Sequence, residues 1–229
     1  MIRLISFILI LAGCVQSDYK YIGQEYLGAK YLSDPLGEGL PPDSDPIFRT
    51  DAFDCTTFVE TAMANGDVGV LTKIRYKDGQ IDFLNRNHFI ESDWLINNSD
   101  IVENVSAQYA PVSQRAVIID KQNWLKTVYG IDSDIPQETI VLNYIPYEKL
   151  PQIYSTEPLI VLFISGKSEK SDKIGTDLAV RHMGFLLPNG MLRHASSKHG
   201  YVMDVDFYKY VEQRAKDANN IGIMLVRIK

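Results

Sequence analysis

The sequence predicts an α+β domain in which an N-terminal helical layer packs on a C-terminal antiparallel sheet. Three observations carry that expectation. Asp51 to Asn65 places Phe58, Val59, Ala62 and Met63 at helical spacing, so that one face would meet a core. Leu159 to Ser165 is a continuous apolar run of the kind found in a buried strand. Beyond it, Val180 to Leu187, Met191 to Ser196, Tyr201 to Val205 and Ile221 to Ile228 are short strand-like segments separated by turn signals. The chain has 229 residues, 45% of them hydrophobic and 23% charged, an ordinary globular composition. Its formal charge of −6 argues against a nucleic-acid partner. No run reaches the ~18 apolar residues of a membrane-spanning helix.

The N-terminus departs from the rest. Arg3 is followed by an apolar stretch, Leu4 to Leu11, interrupted only by Ser6. The run is too short to span a bilayer but has the layout of an export signal. Leu11-Ala12-Gly13-Cys14 resembles the lipobox of bacterial lipoproteins. That resemblance implies cleavage before Cys14 and lipid on its thiol and new amino group. Val15 after the cysteine, in place of aspartate, implies sorting to the outer membrane, facing the periplasm. A plain secretory signal with a coincidental cysteine is the alternative. Residues 1–13 are therefore set aside, and 14–229 read as a single domain.

Tyr19 to Tyr31 has Tyr19, Ile22, Tyr26, Leu27 and Tyr31 at roughly helical intervals and predicts a first helix. Ser33 to Pro46 is rich in Asp, Pro and Gly and reads as a long loop of the sort that lines a site. The helix over 51–65 follows, with Asp51 and Asp54 able to cap its start and Asn65-Gly66 to stop it. The middle, 71–157, is mixed. Arg115 to Asp120 and Thr139 to Ile145 read as strands, and Trp124 to Tyr129 as a short helix. Gly166 to Thr176, rich in lysine, reads as a solvated loop, and Asp206 to Lys216 as a helix before the last strand. There is no internal repeat.

Of the two cysteines, a lipidated Cys14 could form no disulfide, which leaves Cys55 as a lone thiol in an oxidising compartment. Cys55 falls in the first turn of its helix, where free N–H groups and the helix dipole favour a thiolate. A free thiol titrates near ~8.5 and needs such help at neutral pH. The alternative is a buried structural cysteine. Two histidines offer a partner. Pro188-Asn189-Gly190 suits a three-residue hairpin loop, in which Leu187 opposes Met191 and His182 opposes Ser196. His182, Gly184, His194 and Ser196 then share a face, the two histidines being diagonal neighbours at roughly 7–8 Å between Cβ atoms. A thiol nucleophile needs a base, and the base a group to fix its tautomer. Cys55, His182 and His194 supply one of each, and no metal or other cofactor is needed.

Asp54-Cys55-Thr56-Thr57-Phe58-Val59, His182-Met183-Gly184-Phe185 and Arg193-His194-Ala195-Ser196 resemble the motifs of the NlpC-type, papain-like cysteine peptidoglycan hydrolases. With Arg86-Asn87-His88-Phe89 and the segments at Tyr26 to Tyr31 and Asp34 to Gly37, the pattern is most similar to the N-acetylmuramoyl-L-alanine amidase-like branch. The resemblance implies a papain-like fold, with the nucleophile on the N-terminal helices. It implies Cys55 as nucleophile, His182 as general base and His194 as its orienting residue. Tyr31 and Asp54 would help form the substrate pocket, and Arg86, His88 and Ser196 are further candidates for it. The implied partner is peptidoglycan or its muropeptides, attacked by a monomer whose one membrane contact is the lipid on Cys14. The implied bond joins N-acetylmuramic acid to L-alanine. Cleavage between γ-D-glutamate and the diamino acid, or binding without hydrolysis, are the alternatives. Thr56-Thr57 stands where the broader family has Ser-Gly, which leaves the bond specificity open.

Overall fold

The structure, a computed structural model, describes residues 22–229 except residue 168. The signal-like segment and Cys14 lie outside the described residues. Instead of the expected helix up to Tyr31, the chain makes a 3-10 turn, Gln24–Tyr26, and a short strand, β1 (Lys30–Tyr31). Gly28 adopts a left-handed φ of 85°, through which no helix can run. The aromatic spacing has another cause: Tyr26 turns inward onto Phe53, ring centroids 5.0 Å apart.

A long connection follows, as expected, and buried arginines tie it down. The Arg86 guanidinium holds Glu38 at 2.8 and 2.6 Å and Asp43 at 2.6 Å. Arg75 pairs with Glu60 at 2.6 Å and donates to the Leu36 carbonyl at 3.1 Å. The chain then enters β2 (Ala52–Phe53), parallel to β1, and α1 (Cys55–Met63). Asp54 starts α1: its carboxylate accepts the Thr57 N–H at 2.8 Å, while the Thr57 hydroxyl oxygen accepts the Asp54 N–H at 3.0 Å. Such a reciprocal cap contributes about 1 kcal/mol and fixes the first residue of the helix.

Next come α2 (Val68–Arg75), a π-turn (Ile90–Trp94) continuing into α3 (Leu95–Asn97), and β3 (Val102–Asn104). They are followed by α4 (Ser106–Tyr109), β4 (Ser113–Ile119), α5 (Lys121–Tyr129) and β5 (Glu138–Pro146). The last third holds β6 (Leu159–Ser165), α6 (Glu169–Ile174), β7 (Val180–Leu186), β8 (Met191–Ser196) and β9 (Tyr201–Asp206). It closes with α7 (Phe207–Arg214) and β10 (Asn220–Ile228). The lysine-rich segment expected as a loop thus contains α6. Its Ser171 is buried and bonded to Asp177 at 3.3 Å, a tertiary contact its composition does not announce.

The described strands form one sheet in the order β2-β1-β9-β8-β7-β6-β10-β5-β4, with β3 also paired to β10. All neighbours are antiparallel except β1 and β2. Both faces are covered. Ile160, Leu162 and Ile164 of β6 join Phe58, Val59 and Phe185 in the core under α1. Leu159, Val161 and Phe163 point the other way, to Phe207 and Val211 of α7. This explains why β6 reads as an unbroken apolar run. The helical layer expected on one side is therefore matched by α7 on the other.

Candidate active site

The β7–β8 hairpin has the expected loop. Leu187 N–H donates to the Met191 carbonyl at 2.8 Å, Gly190 N–H to the Leu187 carbonyl at 2.9 Å, and Phe185 lies opposite Arg193. Gly184 then opposes His194. A Cβ on Gly184 would stand 2.6 Å from the Arg193 carbonyl oxygen and 2.9 Å from the His194 Cβ, so the strands come this close only over a glycine. Two residues along the same face, His182 Nε2 meets His194 Nδ1 at 2.7 Å, the rings nearly perpendicular at 81°. Phe163 backs His182, with ring centroids 5.5 Å apart, and Tyr210 of α7 lies 5.0 Å from His194. His194 is buried, and its Nε2 has no hydrogen-bond partner.

Cys55, the first residue of α1, is half-buried and a free thiol. It shares with His182 the wall of a cavity of about 1030 Å³, to which Asp54, Thr56, Met183 and Arg214 also contribute. Its sulfur lies at the backbone of Met183, the residue after His182. Burial, and then the Asp54 carboxylate, push the Cys55 thiol up to about 12 against hydrogen bonds from Met183, Thr56 and its own amide. The helix-start N–H groups were expected to favour a thiolate; here desolvation outweighs them. Burial also drives the His182 imidazole well below 6.5, aided by His194 and Arg214. His194 is lowered to about 4 by burial, then by His199 and Arg214. At neutral pH the site holds a thiol and two neutral imidazoles.

The other expected site residues divide. Asp54 lines the cavity while it caps α1, and its second oxygen accepts the Asp34 N–H at 3.2 Å. Tyr31 stands near the thiol: burial, then Cys55 and Asp54, raise its phenol. Arg86 does not reach this cavity. Its guanidinium is buried and consumed by Glu38 and Asp43, which makes it a fastening for the 33–46 loop. His88 touches the cavity wall, but its Nε2 bonds the Phe83 carbonyl at 2.7 Å and its ring packs on Phe83 and Trp124. Burial lowers it to about 3, so it is a neutral packed histidine. Ser196 faces a second cavity of about 700 Å³ and bonds the Nδ1 and N–H of His199 at 3.0 and 3.2 Å, closing the β8–β9 turn.

Sequence reasoning missed three contributors. Glu91, from the π-turn, accepts the N–H groups of Ala179 and Val180 and so anchors the start of β7. Tyr210 and Arg214 come from α7. Their signal was an arginine continuing the stripe of Phe207, Tyr210 and Val211. Among the described residues no group of three His, Cys, Asp or Glu is placed to hold a metal ion.

Comparison with solved structures finds the same fold. A Legionella pneumophila protein of family DUF1460 superposes with a TM-score of 0.83 at 23% identity, covering 92% of this chain and 87% of its own. An N-acetylmuramoyl-L-alanine amidase from Bacteroides uniformis gives 0.72 at 22% identity, covering 93% and 99%. No curated protein matches. A family model described as N-acetylmuramoyl-L-alanine amidase-like matches residues 21–221, nearly the whole domain and all of the motifs around the cavity. The protein belongs to the AmiA-like, N-acetylmuramoyl-L-alanine amidase-like family.

Proposed function

We propose that the protein is a cysteine-dependent hydrolase of cell-wall peptides that cuts the amide between N-acetylmuramic acid and L-alanine. The observation that carries this is His182, bonded to His194 and opening onto the cavity that holds Cys55. For His182 to act as base, its Nδ1 must be bare. The proton between the rings then sits on His182 Nε2, donated to His194 Nδ1, and His194 keeps its own proton on Nε2. His194 is thus a positioning residue: it fixes the tautomer.

His182 takes the thiol proton as sulfur attacks the amide carbonyl, so no standing thiolate is required. The Thr57 N–H is taken by the Asp54 carboxylate and the Phe58 N–H by the Asp54 carbonyl. The Cys55 and Thr56 N–H groups remain for the oxyanion. The imidazolium returns its proton to the leaving amine, and water activated by His182 releases the acyl group. A neutral base that shares a cavity wall with a neutral thiol suits this sequence, because charge develops only as reaction proceeds. The papain-like arrangement of a nucleophile helix against a sheet belongs to the same reading, as does export with a lipid on Cys14.

The test is a digest of defined muropeptides read by mass spectrometry, with Cys55→Ala beside the parent. Release of a peptide with free N-terminal L-alanine, lost in the variant, is the expected result. A sugar-bearing product that ends in L-Ala-D-Glu would shift the reading to an endopeptidase. Unchanged substrates, with binding intact in both proteins, would leave a binding protein instead.

A further inference from the structure

Arg214 is the cation whose charge acts on both imidazoles, and among the described residues no carboxylate pairs with it. Its side chain donates from Nη2 to Asn220 Oδ1 at 2.9 Å, has the neutral phenols of Tyr147 and Tyr210 as further polar neighbours, and makes no ion pair among the described residues. Arg75, Arg86, Arg115 and Arg193 each hold a carboxylate. The Arg214 Nε is buried without an acceptor. The guanidinium is nonetheless held in place, its Cζ 5.1 Å from the Phe163 ring centroid and 5.9 Å from that of Tyr210. The phenols nearby, Tyr147 and Tyr210, are raised by burial and stay neutral. Arg214 also lies on the wall shared by the 1030 Å³ and 700 Å³ cavities, as does His182.

A planar donor fork that is oriented in advance, half-desolvated and met only by neutral partners is built to receive an anion. We propose that Arg214 is a specificity-determining residue that binds a free carboxylate of the peptide substrate beside His182. The proposal rests on the cell-wall reading of the site. A stem linked through the γ-carboxyl of D-glutamate leaves that residue's α-carboxylate free. It stands two residues from the amide at N-acetylmuramic acid, a reach of about 7 Å in extended chain. The fork is matched to it in charge and geometry. The same contact would hold the peptide against the imidazole pair, so that the anchor and the base act on one substrate.

Calorimetry on Cys55→Ala protein tests this without requiring cleavage. The probes are N-acetylmuramoyl-L-alanyl-D-glutamate and its D-isoglutamine counterpart, the γ-carboxyl blocked as a methylamide in both, so that they differ only in an amide for the α-carboxylate. The acid should bind about ten- to a hundredfold more tightly, the range of a charge-assisted hydrogen bond. Adding Arg214→Gln should erase that preference while affinity for the amide peptide stays unchanged. Arg214→Lys, which keeps the charge, should retain part of it and guards against a variant that fails to fold. Equal binding of the two peptides by Cys55→Ala protein overturns the proposal and leaves the cell-wall reading standing. So does a preference that survives Arg214→Gln. Binding of neither peptide overturns both.

Discussion

Burial of His182, His194 and Cys55 in neutral form sets the pH range of the site. A base must be unprotonated to work, and an ordinary imidazole gains its proton as pH falls through 6.5. Here desolvation lowers His182 well below that value and His194 to about 4. The thiol, raised to about 12, adds no ionisation of its own near neutrality. We therefore expect kcat/KM to hold as pH falls through 6.5 and to be lost only at lower pH. An acid limb at or above 6.5 on a muropeptide substrate would contradict it. Stability has the same sign. Below 6.5 the unfolded chain binds protons that the folded histidines refuse, so stability falls with pH toward the folded values. His88, lowered to about 3, belongs to that set. Its neighbour Arg86 lowers it too, so the fastening of the loop and the neutrality of His88 are linked.

At the scale of elements, one hairpin and one capped helix define the site, and both were legible. Pro188-Asn189-Gly190 specified the register, and Asp54 with a following apolar stripe specified where α1 begins. Gly184 is the point at which the hairpin is tested. Gly184→Ala would drive a Cβ to 2.6 Å from the Arg193 carbonyl, forcing β7 and β8 apart. We expect a loss of about 1–3 kcal/mol in denaturant unfolding and a larger relative loss of hydrolysis, because the 2.7 Å imidazole contact depends on that spacing. Unchanged stability and turnover would show that the strands are not held by that contact. What escaped the sequence depends on tertiary partners. Tyr19 to Tyr31 has helical spacing but cannot be a helix across Gly28, and α6 forms in a stretch with no apolar stripe. Arg86 and His88 look like site residues because they are polar and close in sequence. Their partners, Glu38, Asp43 and Phe83, are what make them structural, and these are not apparent from local pattern. The contribution of α7 shows in the sequence only as Arg214 continuing an apolar stripe, because the helix reaches the site from the far face of the sheet.

At the scale of the whole molecule, the domain and its N-terminal segment answer different questions. If Cys14 carries lipid, mass spectrometry of protein recovered from membranes should find residue 14 as the N-terminus, bearing acyl mass. Residues 1–13 still attached, or an unmodified terminus elsewhere, would refute the anchor. The domain itself is stitched together across its length. Arg193 of β8 donates to the Ile22 carbonyl at 2.9 Å, and Lys229 N–H to the Ile101 carbonyl at 2.8 Å. The placement of β10 has a consequence for timing. It follows every other strand in chain order, yet lies between β6 and β5 inside the sheet. A chain emerging from its N-terminus can form the Cys55 helix early, but the two halves of the sheet have no strand ladder to join them until residues 220–228 arrive. The helix that carries Cys55 is thus made first and framed last. If the chain is exported, as proposed, it would stay open, and inert, until residues 220–228 had crossed the membrane.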